Sequence, residues 1–327
     1  MQSASAKCFL FTAAVFLLQV FPLTGMLLMI LAVPFWSVIT INLGFILVIA
    51  DVVAGTLPRG ALALPVIYFG GYFLTAGASH FEARSLANSI LADNAGNSLP
   101  FAPGRDTLFF ESRGPALYAG SDFSLDKLIE SYAINSAYRR WETSKNCPIY
   151  GAVELRSSGC AQGSGVIATD SNGCVTTTQA IWASSGSRLL KGICRAYTPV
   201  KSLDPSVTLQ RTAILSRNTT LYEAGIETFE LKRSTGASIQ IKAGYVYPLA
   251  WFPIPIMGCM PRDWVGGARG TFRVGSSWTC AVYFARDFVI PLGAIHEGKR
   301  RGATDAIAGA LKLPPSSVTA RYPERSS

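Results

Sequence analysis

The sequence predicts a membrane-anchored α+β protein. Three N-terminal transmembrane helices precede a mostly antiparallel β domain that carries one or two helices and a disulfide framework. Three observations predict this. Between Cys8 and Ser79 only Asp51 and Arg59 bear formal charge. From Ile149 onward, short runs of alternating apolar and polar residues are separated by Gly, Ser and Asn turns. Of seven cysteines, all but Cys8 lie beyond the apolar block.

A hydrocarbon core of roughly 30 Å needs about 20 apolar helical residues. Residues 8–33, 38–54 and 61–79 meet that length, so three spans are expected within an anchor of residues 1–80. Pro34 and Trp36 mark a turn at the interface, and the stretch from Gly55 to Gly60 breaks helix with two glycines and a proline. Nothing in the block alternates polar and apolar faces as a soluble amphipathic helix would. Lys7 and Arg59 fall on one side if the chain enters, returns and leaves again, which makes that side cytoplasmic and places the rest of the chain opposite. A cleaved leader is a poor fit, because no small-residue cleavage site follows the first apolar run. Asp51 is expected at the cytoplasmic end of the second span, within reach of interfacial water. Asn42 reads as a helix–helix hydrogen bond.

Hydrophobic residues make up 49% of the chain and charged residues 15%, with a pI near 9.3. Setting aside Lys7, Arg59 and Asp51, the region from Phe81 carries 27 Lys and Arg against 19 Asp and Glu. That surplus suits anionic surfaces such as a lipid bilayer, and nucleic acid is not an expected partner of an exported domain. Cys147, Cys160, Cys174, Cys194, Cys259 and Cys280 are an even set in that domain and read as disulfides. They lack the close CxxC spacing of a metal site, and His80 and His296 are the only histidines. No cofactor, metal ligand or catalytic residue is assigned. His80 reads as an interfacial ring, and His296, beside Glu297, as part of a solvated loop.

Beyond the anchor, residues 81–121 are expected to form a juxtamembrane helix, ending near Asn94, and an extended linker. An exported β-rich domain then covers residues 122–312. It opens with an amphipathic helix of about four turns from Ser124, with Leu125, Leu128, Ile129, Tyr132, Ala133 and Ser136 at helical spacing and Arg139 and Arg140 at its end. Strands are expected at 152–155, 165–169, 175–182, 189–197, 226–233, 238–247, 271–274 and 278–285. In the 238–247 strand Ile239, Ile241, Ala243, Tyr245 and Tyr247 should share one face. Strand pairing suggests Cys174 with Cys194 and Cys259 with Cys280, leaving Cys147 with Cys160. Residues 313–327 read as a disordered tail.

The run Gly163-Ser164-Gly165-Val166-Ile167, followed by Asp170, Gly173, Val175 and Thr177, resembles the first hairpin of trypsin-like proteases of the bacterial envelope. That resemblance implies a histidine base on the next turn, where this chain has Ala180. It also implies a Gly-Asp-Ser-Gly-Gly-type nucleophile motif, which does not follow, and without a base the Ser–His–Asp mechanism cannot run.

The most unusual stretch is Tyr247 to Trp264. Pro248, Pro253, Pro255 and Pro261 interrupt Leu249, Trp251, Phe252, Ile254, Ile256 and Met257. Prolines suppress helix and ladder pairing, so an extended apolar loop is expected. Such a loop lines a core or faces a partner, with Trp251, Phe252, Ile254, Ile256, Met257 and Trp264 as the candidate contacts. Together these features predict a non-enzymatic protein of the bacterial inner membrane. Its non-cytoplasmic domain would bind another envelope protein or help assemble a complex. An envelope hydrolase with an unfamiliar site is the alternative.

Overall fold

The computed structural model of the protein describes residues 3–21, 24, 27–28, 33–103, 105–111, 123, 125, 128, 131–132, 134, 136–141, 153–154, 174–185, 188–199, 205–261, 271–274 and 278–315. The chain forms two compact units. One comprises Met1–Arg84, Asn218–Glu223 and Tyr247–Val289; the other comprises Ser85–Arg217, Ala224–Val246 and Ile290–Ser327.

Helix α1 (Ala4–Val20) begins at Ser3, whose hydroxyl accepts the Ala6 N–H as an N-cap. It stops well before residue 33. Phe21 is extended, with φ −83° and ψ 125°, as the residue before a proline tends to be, and Pro22 follows it in sequence. At 17 residues α1 is too short for the first predicted span, so among the described residues two helical stretches, not three, are long and apolar enough to cross a bilayer: Trp36–Val53 and Arg59–Asn94. The first belongs to α2 (Val33–Val53). After α2 the chain turns at Gly55, where φ is 73°. It re-enters helix through a 3-10 turn, Arg59–Leu62, one α turn, Ala63–Pro65, and a π turn, Val66–Gly70, that leads into α3 (Gly71–Asn94). Pro65 has no N–H and its ring crowds the preceding turn, and the helix relaxes to wider π geometry just after it. As expected, α3 continues through His80–Ala92.

Helices α1 and α2 are antiparallel neighbours. Gly44 lies against the Phe9 ring so closely that a Cβ there would come within 2.7 Å of it. Phe9 also meets Phe45 edge to face at 5.2 Å. Small residues permit such approach between apolar helices. At the far end Asp51 is buried, at 7% exposure. Its carboxylate accepts the Ala4 N–H at 3.3 Å, the Ser5 N–H at 2.9 Å and the Ser5 hydroxyl at 2.7 Å. The expectation that Asp51 reaches water is therefore corrected. The start of α1 presents unpaired N–H groups and a positive dipole end, and Asp51 satisfies both from the neighbouring helix.

Strand β1 (Leu108–Glu111) falls within the segment expected to be a linker, yet it sits inside a nine-stranded sheet, parallel to both β2 (Ser136–Trp141) and β6 (Val207–Asn218). Leu108 is fully buried and Phe109 nearly so. Ahead of it, Leu99 and Phe101 donate backbone hydrogen bonds to Ala310 and Leu311 at 2.8 and 3.0 Å. The amphipathic helix from Ser124 is also shorter than expected. Leu125, Leu128 and Ser131 are helical, with both leucines buried, but Ser136–Trp141 is strand. Ladder bonds to β1 on one side and β4 (Cys174–Ser185) on the other outweigh the helical spacing there.

The two-residue β3 (Val153–Glu154) pairs with β5 (Arg188–Pro199), which forms a long antiparallel hairpin with β4. Residues 165–169 lie outside the described set. In the β4–β5 register Cys194 faces Ile181, seven positions from Cys174. At about 3.3 Å per residue that is roughly 23 Å along the strand, against the ~4.4–6.8 Å between bonded Cα atoms. The expected Cys174–Cys194 pairing is excluded by this register.

The hairpin of β7 (Tyr222–Arg233) and β8 (Ser238–Pro248) forms as expected, turning at Gly236, where φ is 98°. Its second strand does not keep one buried face, however. Ile241 and Ala243 are buried, but beyond Gly244 the fully buried residue is Val246, while Tyr245 and Tyr247 are half-buried. Gly244 has φ 148°, and a Cβ there would fall 1.9 Å from the Gly225 carbonyl oxygen. The backbone conformation that only glycine tolerates there reverses the strand's alternation.

Strands β9 (Pro255–Pro261), β10 (Thr271–Val274) and β11 (Trp278–Phe284) form a three-stranded antiparallel sheet with β11 central, and Cys259 stands opposite Cys280. Strand β12 (Ile290–Leu292) closes one edge of the large sheet on β8. The hairpin of β13 (Ala294–His296) and β14 (Lys299–Arg301) turns at Glu297 and Gly298, with φ 50° and 74°, so His296, expected in a loop, is an exposed strand residue paired with Lys299 beside the turn. Helix α4 (Ala303–Ala310) packs Ile307 onto the core of Leu108, Leu209, Phe229, Leu231 and Ile241. The predicted tail is partly ordered. Leu313 is buried and Pro315 bridges Tyr132, while residues 316–327 lie outside the described set.

Candidate interaction surface

The Tyr247–Trp264 stretch joins β8 to β9 and beyond, and from Ala243 to Pro261 the sequence is uncharged. Its first half belongs to the same compact unit as α1, α2 and the first half of α3. The expected unpaired loop is corrected here, because Pro255–Pro261 is strand β9 laddered with β11. The backbone from Leu249 to Ile254 is irregular, and several of its polar groups have specific partners. The Leu249 N–H donates to the Ser79 hydroxyl at 2.8 Å, and the Leu249 carbonyl accepts from His80 Nε2 at 2.9 Å. The Ala250 carbonyl accepts the Tyr72 hydroxyl at 2.8 Å. The Asn42 amide donates to the Pro253 carbonyl at 3.0 Å and to Val38 of its own helix at 2.7 Å. The Ser37 hydroxyl donates to the Pro255 carbonyl at 2.8 Å and accepts the Met257 N–H at 3.1 Å. The Ala285 N–H donates to the Ile254 carbonyl at 3.0 Å. Pro253 and Pro255 bring no N–H of their own, which removes two donors from the list needing partners.

These bonds account for two of the polar residues in α2. Ser37 and Asn42 serve an irregular segment more than two hundred residues away. Asn42 was expected to bond between helices, and its Oδ1 does accept the Tyr68 hydroxyl of the next helical stretch at 3.4 Å; its amide in addition serves the loop.

Of the predicted contact residues, Trp251 and Phe252 are half exposed. Ile254, Ile256 and Met257 are half-buried, and Ile256 stands opposite Tyr283 in the β9–β11 pair. Met257 lines a small cavity together with Thr12, Phe16, Trp36 and Thr40 of α1 and α2. Trp264 lies outside the described residues. The structure adds Phe288, 90% exposed, which the sequence did not single out. It follows Asp287, whose N–H donates to Pro248 at 2.8 Å. One signal was available in the sequence, since Phe288-Val289-Ile290 is a second apolar run close to the first.

Beneath Trp251 the His80 ring is stacked on the indole at 4.2 Å and 12°. Its Nε2 also lies 3.4 Å from an Asp287 carboxylate oxygen. Both Nε2 neighbours are acceptors, so that nitrogen carries the hydrogen. The Ser79 hydroxyl donates to the Leu221 carbonyl at 2.6 Å, not to the His80 ring. Ser79, His80 and Asp287 are therefore close but not arranged as nucleophile, base and orienting acid. Arg286 holds the same turn by donating to Leu221 at 2.7 Å and Thr219 at 3.2 Å. This is a buried polar brace under an aromatic cap. Among the described residues no three His, Cys, Asp or Glu side chains are placed to hold a metal.

From the resemblance to envelope proteases, Val175, Thr177 and Ala180 lie on β4, while residues 163–170 and 173 fall outside the described set. No family model, curated protein or solved structure matches this chain.

Proposed function

We propose that the chain is a non-enzymatic integral protein of the bacterial inner membrane: α2 and the Arg59–Asn94 helix cross the bilayer, α1 packs alongside α2, and the β-rich domain binds another envelope protein or helps assemble a complex. The observation that carries this reading is the outward face of the helices. Ile39, Leu43, Ile46, Ile49 and Val53 of α2 are all exposed, and so are Leu64, Val66, Ile67, Phe73 and Leu74 farther on. Stripes of large apolar residues at this density suit hydrocarbon. The large sheet, by contrast, closes on its own apolar core.

The same helices support the proposed sidedness. The Asp51–Ser5 bonds bring the N-terminal end of α1 to the C-terminal end of α2, so Lys7 and Arg59 gather at one end of the bundle. Positive residues in short segments favour the cytoplasmic side, which leaves the domain following α3 on the other. An oxidising compartment there suits a Cys259–Cys280 bridge, because directly opposed residues of an antiparallel pair have Cα atoms about 4.5–5.5 Å apart, within the ~4.4–6.8 Å range of a disulfide. The remaining cysteines beyond the anchor are proposed as bridges on compartment and number alone.

Alkaline phosphatase fused after residue 120 should be active and fused after Arg59 inactive, and the protein should stay with membranes through alkaline carbonate extraction. Release by carbonate, or the reverse fusion pattern, refutes the reading. Affinity capture from solubilised membranes should then recover a defined complex; a lone protein that turns over model hydrolase substrates would decide against the binding role.

A further inference from the structure

We infer that the Trp251–Met257 segment is embedded at the outer interface of the lipid bilayer, with Trp251, Phe252 and Phe288 facing lipid and the polar brace on His80 behind them. The inference rests on the membrane reading above and goes beyond it, since it assigns these side chains to lipid and not to a protein partner.

Depth is the first argument. Pro253, Pro255 and Met257 hydrogen-bond to Ser37 and Asn42. Those residues lie one and six positions into the apolar stretch that begins at Trp36, up to about 9 Å of helical rise. Ile39, between them in sequence, is an exposed apolar residue of the same helix. If α2 crosses the bilayer, the loop backbone lies at the depth of its first two turns.

Compatibility is the second argument. Non-helical backbone survives at membrane depth only where its polar groups are satisfied by protein. The carbonyls of Leu249, Ala250, Pro253, Ile254 and Pro255 all accept hydrogen bonds from protein donors. Two of these residues are prolines without an N–H to satisfy. This pairing makes the segment's backbone compatible with membrane depth.

Side-chain chemistry is the third argument. The groups left uncovered are an indole and two phenyl rings, and no charged residue occurs from Ala243 to Pro261. Amphipathic aromatic rings favour the headgroup and glycerol level. Phe81, one residue past His80 on α3, is a further exposed ring in the same compact unit. A loop built to meet a soluble protein domain would carry a polar rim.

The test uses the full-length protein in phosphatidylcholine vesicles, with tryptophan emission quenched either by lipids brominated near the top of the acyl chain or by aqueous iodide. Subtracting the Trp251→Phe variant from wild type isolates Trp251, and subtracting Trp36→Phe isolates a residue of α2. The expected result is that both components lose intensity to brominated lipid and that Trp251 is spared by iodide. A Trp36 signal quenched by lipid with a Trp251 signal quenched by iodide overturns this inference and leaves the membrane reading standing. Failure of both components to respond to lipid overturns the membrane reading itself. A Trp251 signal indifferent to both quenchers means that protein, such as a second copy of the chain, covers the loop, and also overturns the inference. Should Trp251→Phe disturb folding, Phe288→Trp supplies a second reporter, whose added emission must be quenched by lipid and not by iodide.

Discussion

Asn42 of α2 donates its side-chain N–H to the carbonyl of Pro253 at 3.0 Å, across 211 positions of sequence. A polar residue inside an apolar helix is costly, and the hydrogen bond this one gives to a buried carbonyl of the proline-rich segment offsets that cost. The segment that supplies the exposed aromatics is thereby tied to the helix bundle.

Replacing Asn42 by Leu should leave the Pro253 carbonyl buried without its donor. The expected cost is about 1–3 kcal/mol, the usual penalty for a stranded buried polar group. Thermal unfolding of the detergent-solubilised protein reads it, and proteolytic nicking after residue 250 should accelerate. Unchanged stability and unchanged cleavage would mean that the bond contributes nothing.

The facing of Cys259 and Cys280 makes connectivity testable. Non-reducing peptide mapping should recover a Cys259–Cys280 peptide and no Cys174–Cys194 peptide. Cys259→Ser and Cys280→Ser should each cost about 2–5 kcal/mol, and the double variant no more than either alone. Additive losses, or a Cys174–Cys194 peptide, would contradict the registers of both sheets.

Gly244→Ala is expected to be among the most damaging single changes in the sheet domain. Alanine at φ 148° is strained by about 1–3 kcal/mol, and its methyl would have to displace the Gly225 carbonyl. Forced repacking adds roughly 1–3 kcal/mol more. Chemical denaturation followed by near-ultraviolet circular dichroism should show the loss. Gly298→Ala, at an exposed turn with open space around it, should cost only the local φ strain and serves as the control.

Tyr132 donates to an Asp305 carboxylate oxygen at 2.6 Å. Burial first, and then that hydrogen bond and the nearby charge, push its phenol well above the usual 10.0. The folded state thus holds this proton more tightly than the unfolded chain does. The resulting stabilisation is fully present below about pH 10 and fades as pH rises toward the raised folded value. Tyr132→Phe should lower stability by about 1 kcal/mol at neutral pH and flatten the wild-type decline above pH 10. Parallel declines in wild type and variant would remove Tyr132 from the account.

Much was legible in the residues alone. The near absence of charge between Cys8 and Ser79 demanded apolar helices, because such a run has no polar face to turn to water. The hairpins 226–233 with 238–247 and 271–274 with 278–285 followed from alternation and glycine turns, which act locally. The prolines after Tyr247 marked an irregular loop for the equally local reason that they lack an N–H, but this held only from Leu249 to Ile254; Pro255–Pro261, expected to stay unpaired, joined β11 as strand β9. What composition and spacing could not decide was long-range pairing. Pro22 ended α1 early despite the continuing apolar run. Residues 136–141 joined the sheet because partners on both sides outbid their helical spacing. Leu108 to Glu111, which read as linker, became an interior strand for the same reason. Asp51 capped another helix, and Ser37 and Asn42 received a distant loop. Hydrogen-bond partners and burial are properties of the folded chain, and a residue's own neighbours in sequence carry no record of them.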